Sequence, residues 1–526
     1  MTNQSATTTA IATALSLAVL MLSASGYSLS DHDSLIESLF SDSADKTYGV
    51  IVDCGSSGTR AHIFEWDSWL NYPELMNDIE PLRDRKGKPV TMKITPGLSS
   101  LKDDPLKASE YLQPIIDFIS EKIPEHSHRS TGIYIMGTAG MRLLDEETQL
   151  KIMDDIATDL KNRYSFAKVK TSVISGPSEG MYQWITVNSK AKRFGSDKRT
   201  FSVLEMGGAS IQITYKLEGA MEEAINSQLK DDHKAHEAFQ SQIIESRLND
   251  TLVSTTFLGL GSNSARDAYL DLLVMKAGQN KFENYNRRYG THLGLFTKSN
   301  PLLISDPCLP AGSSQFIEKS TKMLLTHNQT IGFDVDDDDV TFHVKLVGGG
   351  NYQTCRGYLR QMLRLAKRER LNCKPDEACT MSLIGTPFVP FNEIELLGLS
   401  DFYYTTNEMM HLAGLYHKDK VVGITRKICS TPYKRLLVLY PEANRADKTR
   451  VLMECFKAVW MDTFLTEGIS MPADYDNFKT IGQINGDALE WTLGAVLEKS
   501  LTIEKAAEIS TLGEAWDEDA DLMFPN

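Results

Sequence analysis

Two stretches of the chain carry the same alternation of apolar and polar positions. In Phe201–Tyr215, FSVLEMGGASIQITY, an apolar run stops at an acidic side chain, Glu205, and a glycine-rich turn, then resumes. In Tyr48–Trp66, YGVIVDCGSSGTRAHIFEW, the run stops at Asp53, crosses small residues and resumes. Each predicts two strands joined by a tight turn. In both, a glycine lies two residues past the acid and a serine within the next few. Small residues let backbone N–H groups approach an oxyanion closely, so the pair predicts two similar half-molecules facing one phosphate. Taken singly, either stretch also fits an unrelated hairpin, which Gly-Ser composition readily produces.

Between the hairpins the period switches repeatedly from strand-like to helix-like, which indicates an α/β fold. Ile133–Met136 reads as a short strand running into Gly137-Thr138-Ala139-Gly140, followed from about Asp145 by a polar helix reaching Tyr164. Val169–Ile174 reads as another strand, ending in the turn Ser175-Gly176-Pro177-Ser178-Glu179-Gly180; a helix then carries Tyr182, Trp184 and Asn188. Glu179 is placed between strand end and helix start. It fits either a first-turn acid facing the helix dipole or a general base.

Composition narrows the classes. The 526 residues include 55 basic and 70 acidic side chains, a formal net charge of −15, with no long basic block, which argues against a nucleic-acid surface. An anionic substrate must then be held by local N–H groups, a metal and a few basic side chains. The acidic runs Asp334–Asp339 and Glu514–Asp521 read as solvated faces, without EF-hand spacing. Neither GxxxxGK[ST] nor HExxH occurs. The apolar run Ala10–Leu22, followed by Ser23-Ala24-Ser25-Gly26, reads as a signal peptide over residues 1–27; no Lys or Arg precedes it, so an uncleaved anchor is the alternative. No other segment reads as a membrane span.

Seven cysteines are present, six of them in the C-terminal half, and an even set of six in a secretory chain reads as disulfides. The sequence alone leaves all 15 pairings open. Cys54, beside Asp53, is the odd one and reads as a small buried residue. The sequons Asn249-Asp250-Thr251 and Asn328-Gln329-Thr330 fit the same compartment.

The motifs DCGSSGTR (53–60), TAGMRLL (138–144), SGPSEGMYQWITVN (175–188) and EMGGASIQ (205–212) resemble, in order and spacing, the conserved regions of the ecto-nucleoside triphosphate diphosphohydrolase (apyrase) family. FLGLGSNSAR (257–266), DPCLPAG (306–312), GGGNYQTC (348–355), FNEIELLGLSDFYYT (391–405) and INGDALEWTLGAVL (484–497) resemble its later landmarks. The resemblance spans Tyr48 to Leu497. It implies two RNase H-like lobes, as in actin, sugar kinases and heat-shock chaperone ATPases, with nucleotide in the cleft between them. The first lobe would hold residues 46–175 plus 481–505, and the second 176–480.

The resemblance also implies roles. Glu179 matches the catalytic glutamate, and Ser210 and Gln212, with Ala209 beside them, match the groups that position the attacking water. Gly55, Ser56, Ser57, Gly58, Thr59, Gly207 and Gly208 would receive the phosphates. Asp53 and Glu205 would hold Mg²⁺ or Ca²⁺ through bound waters, with Thr138 and Trp491 around them. Glu205 departs from the family, which usually has Asp there; the extra methylene moves the carboxylate by about 1.5 Å. Tyr403 and Arg450 match a stacking pair for the base, with Tyr404 and Arg445 as rivals. Sequential disulfides Cys308–Cys355, Cys373–Cys379 and Cys429–Cys455 are implied, with Cys54 free.

The implied reaction is metal-dependent hydrolysis of nucleoside tri- and diphosphates by a soluble secreted or lumenal enzyme. A lumenal diphosphatase acting on GDP or UDP is the alternative. Nucleotides are the only partners implied, and the oligomeric state is left open. An actin- or chaperone-like nucleotide binder is the rival from another class, and a sugar kinase a third reading. A slow-timing binder has no need of the water-activating set Glu179, Ser210 and Gln212.

Overall fold

The computed structural model describes residues 46–67, 78–195, 197–230, 233–289, 296–320, 341–371, 389–446 and 448–500. The run Ala10–Leu22, both acidic runs, Asn328, Cys373 and Cys379 lie outside the described residues, as does the side chain of Arg445. Among the described residues, no helix is long and apolar enough to cross a membrane.

The first hairpin forms as its pattern predicts. Strands β1 (Lys46–Gly55) and β2 (Gly58–Asp67) pair antiparallel with Gly55 opposite Gly58, so Ser56 and Ser57 make the turn. β3 (Glu80–Pro81) and β4 (Thr91–Ile94) add antiparallel to β2, while β5 (Gly132–Gly137) and β6 (Lys168–Val173) extend parallel beyond β1. Helices α1 (Ala108–Lys122), α2 (Ala139–Arg142) and α3 (Glu146–Arg163) occupy the connections. β5 is buried along its whole length, as a parallel strand covered on both faces must be. The Asp145 carboxylate accepts from Thr148 N and starts α3.

Helix α4 (Gly176–Lys190) begins earlier than the sequence suggests. Ser175 is its N-cap, accepting from Ser178 N, and Pro177 sits in the first turn, where a missing N–H costs nothing. The run Ser175–Gly180, read as a turn, is therefore mostly helix, and Glu179 lies on its first turn.

The second sheet repeats the first. β7 (Ser202–Met206) and β8 (Ser210–Lys216) form the second hairpin; β9 (Ile243–Glu245) and β10 (Thr251–Leu258) continue antiparallel, following α5 (Gly219–Leu229) and α6 (His233–Gln240). Then come α7 (Ser262–Tyr289), a small sheet of β11 (Leu302–Asp306), β12 (Ser314–Ser320) and β13 (Thr341–Gly348), and α8 (Tyr352–Leu371). β14 (Leu396–Ser400) returns to lie parallel to β7 and leads into α9 (Asp401–Glu408) and β15 (Gly414–Leu415). Helices α10 (Lys418–Ser430), α11 (Tyr433–Leu439), α12 (Pro441–Ala446) and α13 (Lys448–Thr463) follow, and β16 (Phe478–Thr480) adds parallel to β14. Both sheets thus run antiparallel on one side of the first hairpin strand and place two parallel strands on the other, in the same order, with β15 added antiparallel at the outer edge of the second. This is the RNase H-like arrangement, present twice.

The disulfides Cys308–Cys355 and Cys429–Cys455 form in the second half, in the pairing the family resemblance implies, and Cys54 is buried and free. Cys308–Cys355 restricts the unfolded chain within the long crossover from β7 to β14, and Cys429–Cys455 ties α10 to α13 after β14.

One core belongs to both halves. Ile51, Phe64 and Trp66 of the first sheet, Val203 and Leu399 of the second, Trp184 of α4 and Trp491 and Val496 of the C-terminal helix α14 (residues 491–500) form a single cluster. Three polar bonds fix the seam. Gln183 Nε2 donates to Leu489 O (3.2 Å), Thr186 Oγ1 donates to Glu490 O (3.0 Å), and Gly494 N donates to Thr186 Oγ1 (2.8 Å). A Cβ on Gly494 would lie 1.9 Å from Tyr182 O, a backbone atom that cannot step aside. Gly494→Ala is therefore expected to destabilise the protein by roughly 1–3 kcal/mol, in the range of overpacking. A urea or thermal melt unchanged from wild type would show that the seam tolerates separation.

Candidate active site

The strand alternation that builds the two hairpins also decides which side chains face the cleft. Asp53 is cross-strand partner to Arg60, and Glu205 to Gln212, so each pair shares one face of its sheet. Cys54 and Thr59 are the next pair and point the other way. Thr59 is fully buried, and Tyr111 Oη donates to its Oγ1 at 3.1 Å.

A cavity of about 320 Å³ lies between the hairpins. Asp53, Gly55, Ser56, Ser57, Thr138, Glu179, Glu205, Gly207, Gly208, Ala209, Ser210, Tyr403 and Trp491 all line it, so most of the candidates drawn from the sequence are brought together. Gly58, Thr59 and Arg450 do not line it. A Cβ on Gly58 would strike Lys93 and Ile94, on the side of β4, and Arg450 is paired with Glu408. Gln212 stands just behind the wall, 3% exposed, and acts through its contacts with Glu179 and Ser210.

The second turn is held with its carbonyls turned back into the fold. Gly259 N donates to Ala209 O, Ser262 N to Gly207 O, and Asn263 N and Ser264 N to Gly208 O. The segment 257–266 therefore straps the glycine loop from behind, where Gly261 could not carry a Cβ without meeting Ala209 N and Ser210 N at 2.5 Å. The first turn is packed as closely. A Cβ on Gly97 would meet Gly55 O at 2.3 Å, and one on Gly140 would meet Ser56 Cα at 2.8 Å. Thr138 N and Oγ1 both donate to Cys54 O, which ties the entrance of α2 to the end of β1.

Glu179 is the centre of a polar cluster. Its Oε2 accepts from Arg142 Nη2 (2.8 Å) and Gln212 Nε2 (3.2 Å). Ser210 Oγ accepts from Gln212 Nε2 (2.6 Å) and Arg142 Nη2 (3.3 Å). A hydroxyl has two acceptor positions and one proton, so Ser210 with both positions filled is left as a donor. Arg142 Nη1 donates to Ile174 O (3.0 Å), fixing the guanidinium across the end of β6.

Arg142, Arg60, Glu490 and Ser400 were not singled out from the sequence. Arg142 and Arg60 lie inside motifs quoted for other residues, and the position of Arg60 opposite Asp53 was a readable signal. Glu490 accepts from Arg60 Nη1 (2.8 Å) and lies 2.9 Å from His62 Nδ1. Ser400 Oγ donates to Glu205 Oε1 (2.9 Å). Trp491 both edges the cavity and stacks on Tyr182 of α4, with ring centroids 6.1 Å apart.

The electrostatics reflect several carboxylates converging on one cleft. Burial, reinforced by the charges of Glu179 and Glu490, pushes Asp53 well above the usual carboxylate range. Burial and the Glu179 charge raise Glu205 to about 8. Burial also raises Glu179, and Arg142 opposes that rise. Glu490 goes the other way: burial acts to raise it, but His62 and Arg60 hold it below the usual range. Asp53 Oδ1 and Glu205 Oε2 are buried with no hydrogen-bond partner. Two orphan carboxylate oxygens on opposite walls fit a hard divalent cation. No cluster of three or more candidate ligands occurs among the described residues, so water and substrate oxygens would complete the coordination.

Comparison with known proteins shows the family and the fold. The model of the GDA1/CD39 (nucleoside phosphatase) family matches residues 40–511. The chain is 33% identical over 480 residues to ectonucleoside triphosphate diphosphohydrolase 7 of Pongo abelii, covering 86% of this chain and 73% of the relative. It is 28% identical over 487 residues to nucleoside-diphosphatase mig-23 of Caenorhabditis elegans, covering 87% and 78%. A solved nucleoside triphosphate hydrolase from Neospora caninum superposes with a TM-score of 0.56 at 15% identity, covering 90% of this chain and 97% of that one; this likeness bears on the fold.

The Arg142 contact generates a pH prediction. A base must be ionised to act, so activity is lost as pH falls through its pKa. Removing the guanidinium in Arg142→Met takes away the group that opposes the burial-driven rise of Glu179. The acid limb of kcat/KM for phosphate release is expected to move to higher pH, and kcat at neutral pH to fall roughly 10- to 100-fold as the base loses its fixed position. An acid limb that stays in place would separate Arg142 from Glu179.

Proposed function

The chain belongs to the GDA1/CD39 family of nucleoside phosphatases, and from that membership we propose that it hydrolyses the terminal phosphate of nucleoside tri- and diphosphates in the cleft between its two hairpins. The carrying observation is the Glu179, Arg142, Gln212 and Ser210 cluster facing two glycine-rich turns. A protein that only binds nucleotide has no use for a buried carboxylate braced in this way. The likeness to a nucleoside-diphosphatase, mig-23, favours diphosphates as a substrate class alongside triphosphates.

In this reading the phosphate chain lies across the two turns, where Gly55, Ser56 and Ser57 on one side and Gly208 and Ala209 on the other supply N–H groups and hydroxyls; Gly207, whose N–H donates to Ser210 O within the turn, lines the site without a side chain. Glu179 Oε2 is committed to Arg142 and Gln212, which leaves Oε1 to take a proton from the attacking water. Ser210, a donor with its acceptor positions filled, holds the oxygen of that water, and Gln212 fixes Ser210. Glu179 then passes the proton on as the phosphate leaves. Asp53 and Glu205 would hold Mg²⁺ or Ca²⁺, which neutralises the charge that develops on the phosphoryl oxygens. Tyr403, at the mouth of the cavity beside the more exposed Tyr404, would stack on the base. Stacking accepts every base, so broad nucleotide use follows. Arg450 would have to leave Glu408 to reach a base. We further assign the protein to the secretory pathway, on its two buried disulfides and the exposed sequon residue Asn249.

Phosphate release from ATP, ADP, GDP and UDP, with Mg²⁺ or Ca²⁺ and with excess EDTA, tests this function. Activity is expected on both tri- and diphosphates, abolished by chelator and restored by either cation; full turnover in EDTA would remove the cation from the scheme. Glu179→Gln should lower kcat by ~10²–10⁴-fold while nucleotide still binds, and near wild-type turnover would refute the assignment of the base. Tyr403→Ala should cost roughly 5- to 150-fold in kcat/KM, mainly through KM, because the base does not change during the reaction. Tripolyphosphate has no base, so any turnover of it should be unaffected; equal damage to both substrates would place Tyr403 in the scaffold instead.

A further inference from the structure

Ser400 stands at the junction of β14 and α9, where a serine ordinarily caps the helix. It does not cap this one: no side-chain cap bond forms, and its hydroxyl turns to Glu205 Oε1 at 2.9 Å. Its backbone has φ 54 and ψ −119, a conformation suited to glycine and rarely adopted by a residue with a Cβ. Such strain persists only where the surroundings over-determine it, and it collects at functional sites. Around Ser400 the constraints are visible. Its strand partner is Met206, beside Glu205, while Leu399 is opposite Glu205 itself. Ser400, Glu205 and Tyr403 all line the cavity.

From this geometry we propose that Ser400 is a positioning residue for the cation site: its strained backbone holds the hydroxyl on Glu205 Oε1, so that Oε2 is presented to the metal. A glutamate has one more side-chain torsion to fix than an aspartate, and Ser400 fixes it. Because Tyr403 follows in the first turn of the helix that Ser400 opens, one residue sets the spacing between cation and base clamp. The inference rests on the reading of Asp53 and Glu205 as cation ligands.

The test is binding of Mn²⁺ to nucleotide-free protein, read by the electron paramagnetic resonance signal of the free ion, with Mg²⁺ and Ca²⁺ as competitors. Ser400→Ala is expected to weaken binding about 10- to 100-fold, the usual cost of losing a hydrogen bond to a metal ligand. Ser400→Gly removes the hydroxyl but also relieves the strain; it should be at least as stable to heat as Ser400→Ala and equally weak for the ion. In the Glu205→Asp background the shorter carboxylate no longer reaches Ser400, so adding Ser400→Ala should change affinity by less than about twofold. Near wild-type affinity in Ser400→Gly, or the same loss from Ser400→Ala in both backgrounds, overturns the inference and leaves the cation reading intact. Wild-type protein that binds no Mn²⁺ overturns both.

Discussion

Burying several carboxylates in one cleft is the constraint around which this protein is built. Asp53, Glu179 and Glu205 face one cavity, and the Glu179 charge adds to burial in raising the proton affinity of the other two. In a low-dielectric site such a cluster is costly unless positive charge enters it. Arg142 supplies part of that charge to Glu179, and Arg60, itself neutralised by Glu490, faces Asp53. What is left over is two orphan oxygens, and in the proposed function that remainder makes the site a receptor for a cation and a polyanion together. Neither alone balances it: the phosphates need the metal, and the metal needs more ligands than the two carboxylates provide.

The hairpins were legible because everything they do is local. An apolar run, an acid and a turn of small residues fix both strand pairing and side-chain face, and period-two alternation then carries Asp53 and Glu205 to equivalent places in two sheets. The same alternation excludes Thr59, which the motif had swept in with its neighbours. Arg142 was hidden for the opposite reason. It lies 37 residues from Glu179 in sequence, and nothing in TAGMRLL distinguishes an arginine that reaches across to α4 from one that is solvated. Ser400 was hidden further still, since its hydroxyl partner is 195 residues away and its backbone angle leaves no trace in composition. The start of α4 was misplaced because Gly and Pro were read as turn formers, when a serine cap and a first-turn proline are also how a helix begins.

The strapping of the glycine loop explains why the resemblance extends far beyond residues that touch substrate. Segment 257–266 carries no candidate catalytic group, yet its N–H groups absorb the carbonyls of Gly207, Gly208 and Ala209, and without it the loop has no reason to present its amides to a phosphate. Precision at the phosphate is thus purchased one layer back, by residues whose only duty is to keep the loop from relaxing.

The seam between α4 and α14 has a consequence for how the protein is made. The inner face of the first sheet, including Ile51, Phe64 and Trp66, is covered by α4 and by α14, which lies more than 400 residues further along the chain. The second sheet and its disulfide-bearing crossover are synthesised in between and can be complete while the first half still waits for its closing helix. During translation this aromatic surface is therefore covered by α4 alone until α14 has been made. Loss of α14 would therefore be felt far away in sequence, as an exposed aromatic face on the first sheet.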